Sequence, residues 1–189
     1  DLKAFYAHEK GMVLSTSIDK YVYVTVKKQN NLHEKRIRVS YSETENVNHI
    51  EEIKHPIIKE CLSLLKIDYP IEITTMSDVP AKTGLGSSST FTVGLLNALH
   101  SLNGEYLSKE ELAEEAAHVE IDILGRPIGK QDHYAAAYGG LNIIEFNPDD
   151  SVTVSPVEIS KSREENFFSC LSLFYTKITR DSSSVLTEQ

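Results

Sequence analysis

The chain has 189 residues, 40% hydrophobic and 25% charged, enough apolar material for one good core or two small ones. A net charge of −9, with no basic run beyond the short Lys35-Arg36-x-Arg38, argues against a nucleic-acid surface. No stretch reaches the roughly 18 apolar residues of a membrane span, and no charged N-terminal region leads into an apolar signal core. The expectation is a cytoplasmic protein with neither nucleic acid nor membrane as partner.

Residues 1–10 read as a short helix ended by Gly11, with Leu2, Phe5 and Tyr6 on one side. Residues 12–28 are rich in valine, tyrosine, threonine and isoleucine, and Asn30-Asn31 separates them from residues 36–41, so a hairpin is predicted. Residues 56–65 open on a proline and carry Ile57, Ile58, Cys61, Leu62 and Leu65, one broad apolar helix face. Residues 71–76 alternate as a strand and deliver the chain to Pro80-Ala-Lys-Thr-Gly84-Leu85-Gly86-Ser87-Ser88-Ser89.

Phe91, Leu95, Leu99 and Leu102 then recur with the period of a helix, so the glycine-serine stretch is the turn that opens it. Two glycines allow close backbone approach to a ligand, the first amides of the helix lack intrahelical partners, and the dipole is positive there. Such a turn suits a phosphate, and the three serine hydroxyls could add contacts to a phosphate oxygen or a Mg²⁺ ion. It is not a Walker A loop, since no Lys-Ser or Lys-Thr follows Gly86, nor the dinucleotide fingerprint, which would carry glycine at Ser89. On composition alone, a plain serine-capped helix start remains an equal reading.

Ser108-Lys-Glu-Glu111 is a capping box, and the helix it opens runs to about Leu124, before Gly125 and Pro127. At 100° per residue, Leu112, Ala113, Ala116, Ala117, Val119, Ile123 and Leu124 share one arc, with Glu111, Glu114, Glu115, His118 and Asp122 opposite. Glu120 falls within the apolar arc. A buried carboxylate costs several kcal/mol unless it is paired or binds a cation, so Glu120 either meets an arginine or lysine or holds a metal. Residues 125–140 form a loop with a short Ala-rich helical turn, in which Asp132 sits among Lys130, Gln131, His133 and Tyr134 beside residues too small to shield it. Strand-like runs follow at 141–146, 152–159 and 168–176. Cys61 and Cys170 lie in apolar stretches and read as packed, reduced thiols, and the scattered histidines argue against zinc. This order of elements is not a βα alternation, so the class is α+β with a mostly antiparallel sheet and helices packed on it.

The stretch Pro80-x-x-x-Gly84-Leu-Gly-Ser-Ser-Ser89 before a helix resembles the phosphate-binding motif of the galactokinase, homoserine kinase, mevalonate kinase and phosphomevalonate kinase (GHMP) superfamily. Residues 1–23, 91–99 and 129–140 resemble its sugar-kinase branch that phosphorylates the anomeric hydroxyl of D-glycero-D-manno-heptose 7-phosphate. The resemblance implies a ribosomal-protein-S5-like fold, with ATP phosphates held by Gly84, Leu85, Gly86, Ser87, Ser88 and Ser89. It implies Mg²⁺ on Ser87 or Ser88 and on Glu120, Asp132 as the catalytic acid residue that takes or orients the acceptor's proton, and sugar or sugar-phosphate contacts from Asp1, Lys130, Gln131, Tyr134 and Arg180. Family members begin with a basic strand before the position of Asp1, carry a small residue where Lys82 stands, and continue into a second glycine-rich domain. Residues 1–175 are therefore expected to be the N-terminal, ATP-binding domain without its first strand, and 176–189 the start of a connection to a C-terminal domain. A kinase for L-fucose or another hexose, and a nucleotide-binding module without chemistry, are the alternatives. A homodimer stays open.

Overall fold

The computed structural model describes residues 1–30, 35–81 and 83–174. In chain order these hold α1 (Lys3–Tyr6), β1 (Gly11–Thr16), β2 (Val22–Lys28), β3 (Ile37–Ser40), β4 (Thr44–Val47), a single 3₁₀ turn (Ile50–Glu52), α2 (Pro56–Leu64) and β5 (Ile71–Ser77). There follow α3 (Ser87–Asn103), α4 (Lys109–Ala117), a π-helical turn (His118–Ile123), α5 (Gln131–Tyr138), β6 (Leu141–Phe146), β7 (Val152–Pro156) and α6 (Lys161–Ser169).

The strands form two sheets, one antiparallel in the order β1-β6-β7 and one mixed in the order β2-β5-β3-β4. Among the described residues only β3 and β5 pair in parallel, so the fold is α+β and mostly antiparallel, as expected. The predicted hairpin does not form. Residues 12–28 split into β1 and β2, which belong to different sheets, and β2 and β3 lie on opposite sides of β5. The split is fixed by hydrogen bonds between the two ends: Ser17 N donates to Gly140 O (3.0 Å), while Tyr21 N donates to Asp78 Oδ2 (2.9 Å).

The larger core lies where α2, α3, α4 and the π turn cover the four-stranded sheet. Leu95, Leu96 and Leu99 of α3 are fully buried there with Ile58, Leu62, Ile71 and Ile73, each such side chain contributing about 1.5–3 kcal/mol by leaving water. Tyr6, Ala113, Tyr134, Ile144, Phe146 and Val152 form a smaller cluster against the three-stranded sheet. α3 and α5 thus stand with their N-termini beside one another, which is the arrangement that builds the site.

Four further expectations are corrected. The first helix ends at Tyr6, whose ring is buried while Leu2 and Phe5 are exposed. The run beginning at Phe168 is no strand: Phe168 and Ser169 close α6, and residues 170–174 have no regular structure. Every residue of α6 is exposed, and so is Cys170 at its end, unlike the buried Cys61. Ile123 also leaves the apolar arc, being 39% exposed. Leu124 N bonds back to Val119 O, five residues away (3.0 Å), and this wider π turn shifts the phase after Glu120. No helix among the described residues is long and apolar enough to cross a membrane.

Candidate active site

Gly84 (φ 76°) and Gly86 (φ 65°) both adopt the left-handed backbone that side chains resist, and Gly86 is the residue that caps α3. No side chain caps this N-terminus, so the first-turn amides of Ser87, Ser88 and Ser89 remain available to an anion at the positive end of a 17-residue helix. Gly84 and Leu85 are exposed and Ser89 is buried, so the turn opens outward from a fixed base. A Cβ on Gly86 would lie 3.1 Å from Asp132 Cγ and Oδ2. The catalytic candidate therefore touches the phosphate-loop candidate directly.

Asp132 belongs to the first turn of α5. The protein around it pushes its carboxyl above the ordinary value, a trend that the Glu120 charge reinforces and that His133 and the Gln131 side chain oppose. It remains exposed at the mouth of the turn, where a carboxylate of raised basicity can accept a proton from an approaching hydroxyl.

Glu120 has no exposed surface. The π turn aims it at the start of α3, where its Oε1 accepts from Ser88 Oγ and from Arg126 Nη1, and its Oε2 accepts from His133 Nε2 (2.9 Å). Arg126 Nη1 also donates to Ser88 Oγ (2.7 Å). Burial alone would raise this carboxyl, but the hydrogen bonds from His133 and Ser88 and the charges of His133 and Arg126 hold it below its ordinary value. His133 is itself fully buried, and its Nδ1 has no hydrogen-bond partner. Both alternatives for an inward acid thus find support: Glu120 is paired with an arginine, and it lies beside a serine hydroxyl. Ser88, not Ser87, is the serine that meets it.

The remaining candidates are placed as follows. Asp1 Oδ2 accepts from Gln131 N (3.0 Å) at the start of α5, and its carboxylate fills the space a Cβ on Gly129 would need. Lys130 Nζ turns away to Asp150, bonding Oδ1 (2.9 Å) and the backbone O (3.1 Å). Tyr134 is buried, stacked on Tyr138 with ring centroids 6.3 Å apart. Arg180 and Lys82 lie outside the described residues. The sequence reading gave no role to Arg126 or His133. The signal for Arg126 was available in part, as a lone arginine six residues after the inward acid.

Residues 55–140, which include the glycine turn, Glu120 and Asp132, match the GHMP kinases N terminal domain. That stretch is similar to the domain over 86 of the 189 residues. The chain is 30% identical, over 98% of its own length and 57% of the relative's, to the D-glycero-alpha-D-manno-heptose 7-phosphate kinase of Campylobacter jejuni. Among solved structures, a protein described as a D-glycero-D-manno-heptose 1-phosphate kinase from Bacteroides thetaiotaomicron superposes with a TM-score of 0.75 at 27% identity, covering 86% of this chain and 56% of that one. A putative sugar kinase from Campylobacter jejuni gives 0.67 at 29% identity, over 80% and 51%. The chain spans a little over half the length of these relatives.

The oxygens of Glu120 and Ser88 could hold a divalent cation. Among the described residues no group of three or more histidine, cysteine, aspartate or glutamate side chains converges as a cage. Mg²⁺ bound with a nucleotide needs none, since one carboxylate, a hydroxyl, phosphate oxygens and water satisfy it. Glu120 and Ser88 are the carboxylate and hydroxyl that could serve as the first two.

Proposed function

We propose that this chain is the nucleotide-binding part of an ATP- and Mg²⁺-dependent sugar kinase whose acceptor is the anomeric hydroxyl of D-glycero-D-manno-heptose 7-phosphate. The observation that carries the reading is the contact between Gly86 and Asp132, which sets a proton acceptor against a turn of free amides. The two jobs of phosphoryl transfer, holding the phosphates and receiving the acceptor's proton, then fall to adjacent groups. The choice of heptose rests on the relative that matches 98% of the chain.

In this mechanism the amides of Ser87, Ser88 and Ser89 and the α3 dipole bind and orient the phosphates, and Gly84 and Gly86 let the backbone approach them. A cation held by Glu120 and Ser88 would supply charge neutralisation. Asp132 orients the acceptor hydroxyl and takes its proton. Asp1 holds the start of α5, and with it Asp132, through the Gln131 amide, and it stands where an acceptor hydroxyl could be met. The C-terminal domain expected to follow residues 176–189 would close the other side of the cleft.

The test is ATP-dependent phosphorylation by the full-length protein, with the heptose 7-phosphate and a set of hexoses including L-fucose as acceptors and product mass as the readout. One phosphate added to the heptose 7-phosphate supports the proposal. Transfer only to a hexose moves the substrate and keeps the chemistry, whereas bound ATP without transfer to any acceptor favours a binding module.

A further inference from the structure

One guanidinium nitrogen occupies the point that the proposed reading gives to a divalent cation. Arg126 Nη1 meets both Glu120 Oε1 and, at 2.7 Å, Ser88 Oγ, the two hard oxygen donors of that site. The other partners of this cluster are fixed: Ser88 lies in α3, and His133, fully buried in α5, holds the second carboxylate oxygen. Arg126 is different. Its side chain is 28% exposed, and it follows Gly125 (φ 63°), around which nothing would meet a Cβ within 4 Å. Of the three partners it is the one on a loop, and its side chain reaches solvent.

A cation and this guanidinium cannot share Oε1 at contact distance, because like charges that close repel strongly beside a buried carboxylate. The exchange would be uphill for a bare ion, which must displace a hydrogen-bonded partner from a buried acid. A nucleotide changes the balance, because its phosphates at the α3 N-terminus supply both further oxygens for the metal and a new anion for the released arginine.

We infer that Arg126 is a resident counter-ion of the cation site: it neutralises Glu120 in the ligand-free protein and gives up Oε1 and Ser88 Oγ only to a divalent cation that arrives with nucleotide. This rests on the reading of Glu120 and Ser88 as cation ligands. It makes metal affinity conditional on nucleotide, and it ties the 125–130 loop, which leads into Gln131 and Asp132, to the state of the site.

The experiment is Mn²⁺ binding to the full-length protein, followed by electron paramagnetic resonance, for the wild type, Arg126→Gln, Arg126→Lys and Glu120→Gln, with and without a non-hydrolysable ATP analogue. Without nucleotide, Arg126→Gln is expected to bind Mn²⁺ about tenfold tighter than the wild type or more, with Arg126→Lys between them, and the gap should narrow once the analogue is present. Equal affinities of wild type and Arg126→Gln, with Glu120→Gln weakened, overturn the counter-ion role and leave the ligand reading standing. If Glu120→Gln binds Mn²⁺ like the wild type, the ligand reading itself fails. An Arg126→Gln protein that unfolds in chelator and recovers its melting transition with Mn²⁺ supports the proposal. One that stays unfolded with Mn²⁺, while Arg126→Lys binds it like the wild type, counts against it.

Discussion

Gly86 meets two demands that no other residue type satisfies together. Its left-handed backbone costs a side-chain-bearing residue about 1–2 kcal/mol, and a Cβ there would press on the Asp132 carboxylate at 3.1 Å. Gly86→Ala is therefore expected to lose stability by roughly that amount and to lower both nucleotide affinity and turnover. A variant with wild-type kinetics would mean that the turn and Asp132 are not one site. In the proposed role, Asp132 would also set a pH dependence. Its carboxyl is raised, first by desolvation, so the proton-accepting form is lost as the pH falls through a value above 3.8. The acid limb of kcat/KM should lie above the ordinary carboxylate position and disappear in Asp132→Asn. At this scale, legibility followed sequence proximity. The glycines, Glu120 and Asp132 could be read because a turn, a helix face and a small-residue loop are local patterns. Arg126 could be read only in part, because which buried acid a loop arginine reaches is decided by the fold. Lys130 and Tyr134 looked like neighbours of Asp132 in sequence, but 100° per residue along α5 sends Tyr134 into the core, and Lys130, just before the helix, toward Asp150.

Among the elements, α3 and α4 are joined by an ion-pair device far from the glycine turn. His100, in the last turn of α3, bonds Glu105 through Nδ1 and Glu115 of α4 through Nε2, each at 2.7 Å. Burial alone would lower the imidazole's pKa, but the two hydrogen bonds and carboxylate charges raise it above 6.5. A base raised on folding stabilises fully below its unfolded value and loses that contribution as the pH rises through the folded one. The stability lost in His100→Gln, measured by denaturant melts, should therefore be larger near about pH 6 than near about pH 9, and a gap independent of pH would contradict it. Helices with caps or strong periodicity were readable: α2 and α4 begin where proline and the capping box place them. Strand partners were not. Residues 12–28 and 36–41 are both strand-forming, but the parallel pairing of β3 with β5 depends on the helices that cover the sheet. At Phe168, an apolar run suggested a strand, while Ser160 and the following charged residues formed α6 instead.

For the whole molecule, two cores and two sheets carry the adjacent starts of α3 and α5, in a chain that spans a little over half the length of its relatives. The overall class was legible because composition and element order fix it, and the packing of two small sheets was not, since nothing local marks the change of sheet between Thr16 and Val22. In the proposed function, the choice of sugar belongs to the full-length protein and the transfer chemistry to the residues around Gly86 and Asp132. The most direct test of that division compares Asp132→Asn with the wild type in the full-length protein, measuring nucleotide Kd and turnover on the same preparation. The account predicts turnover lower by about 10²-fold or more with nucleotide affinity nearly unchanged. Unchanged turnover would remove Asp132 from the reaction and contradict the site described here.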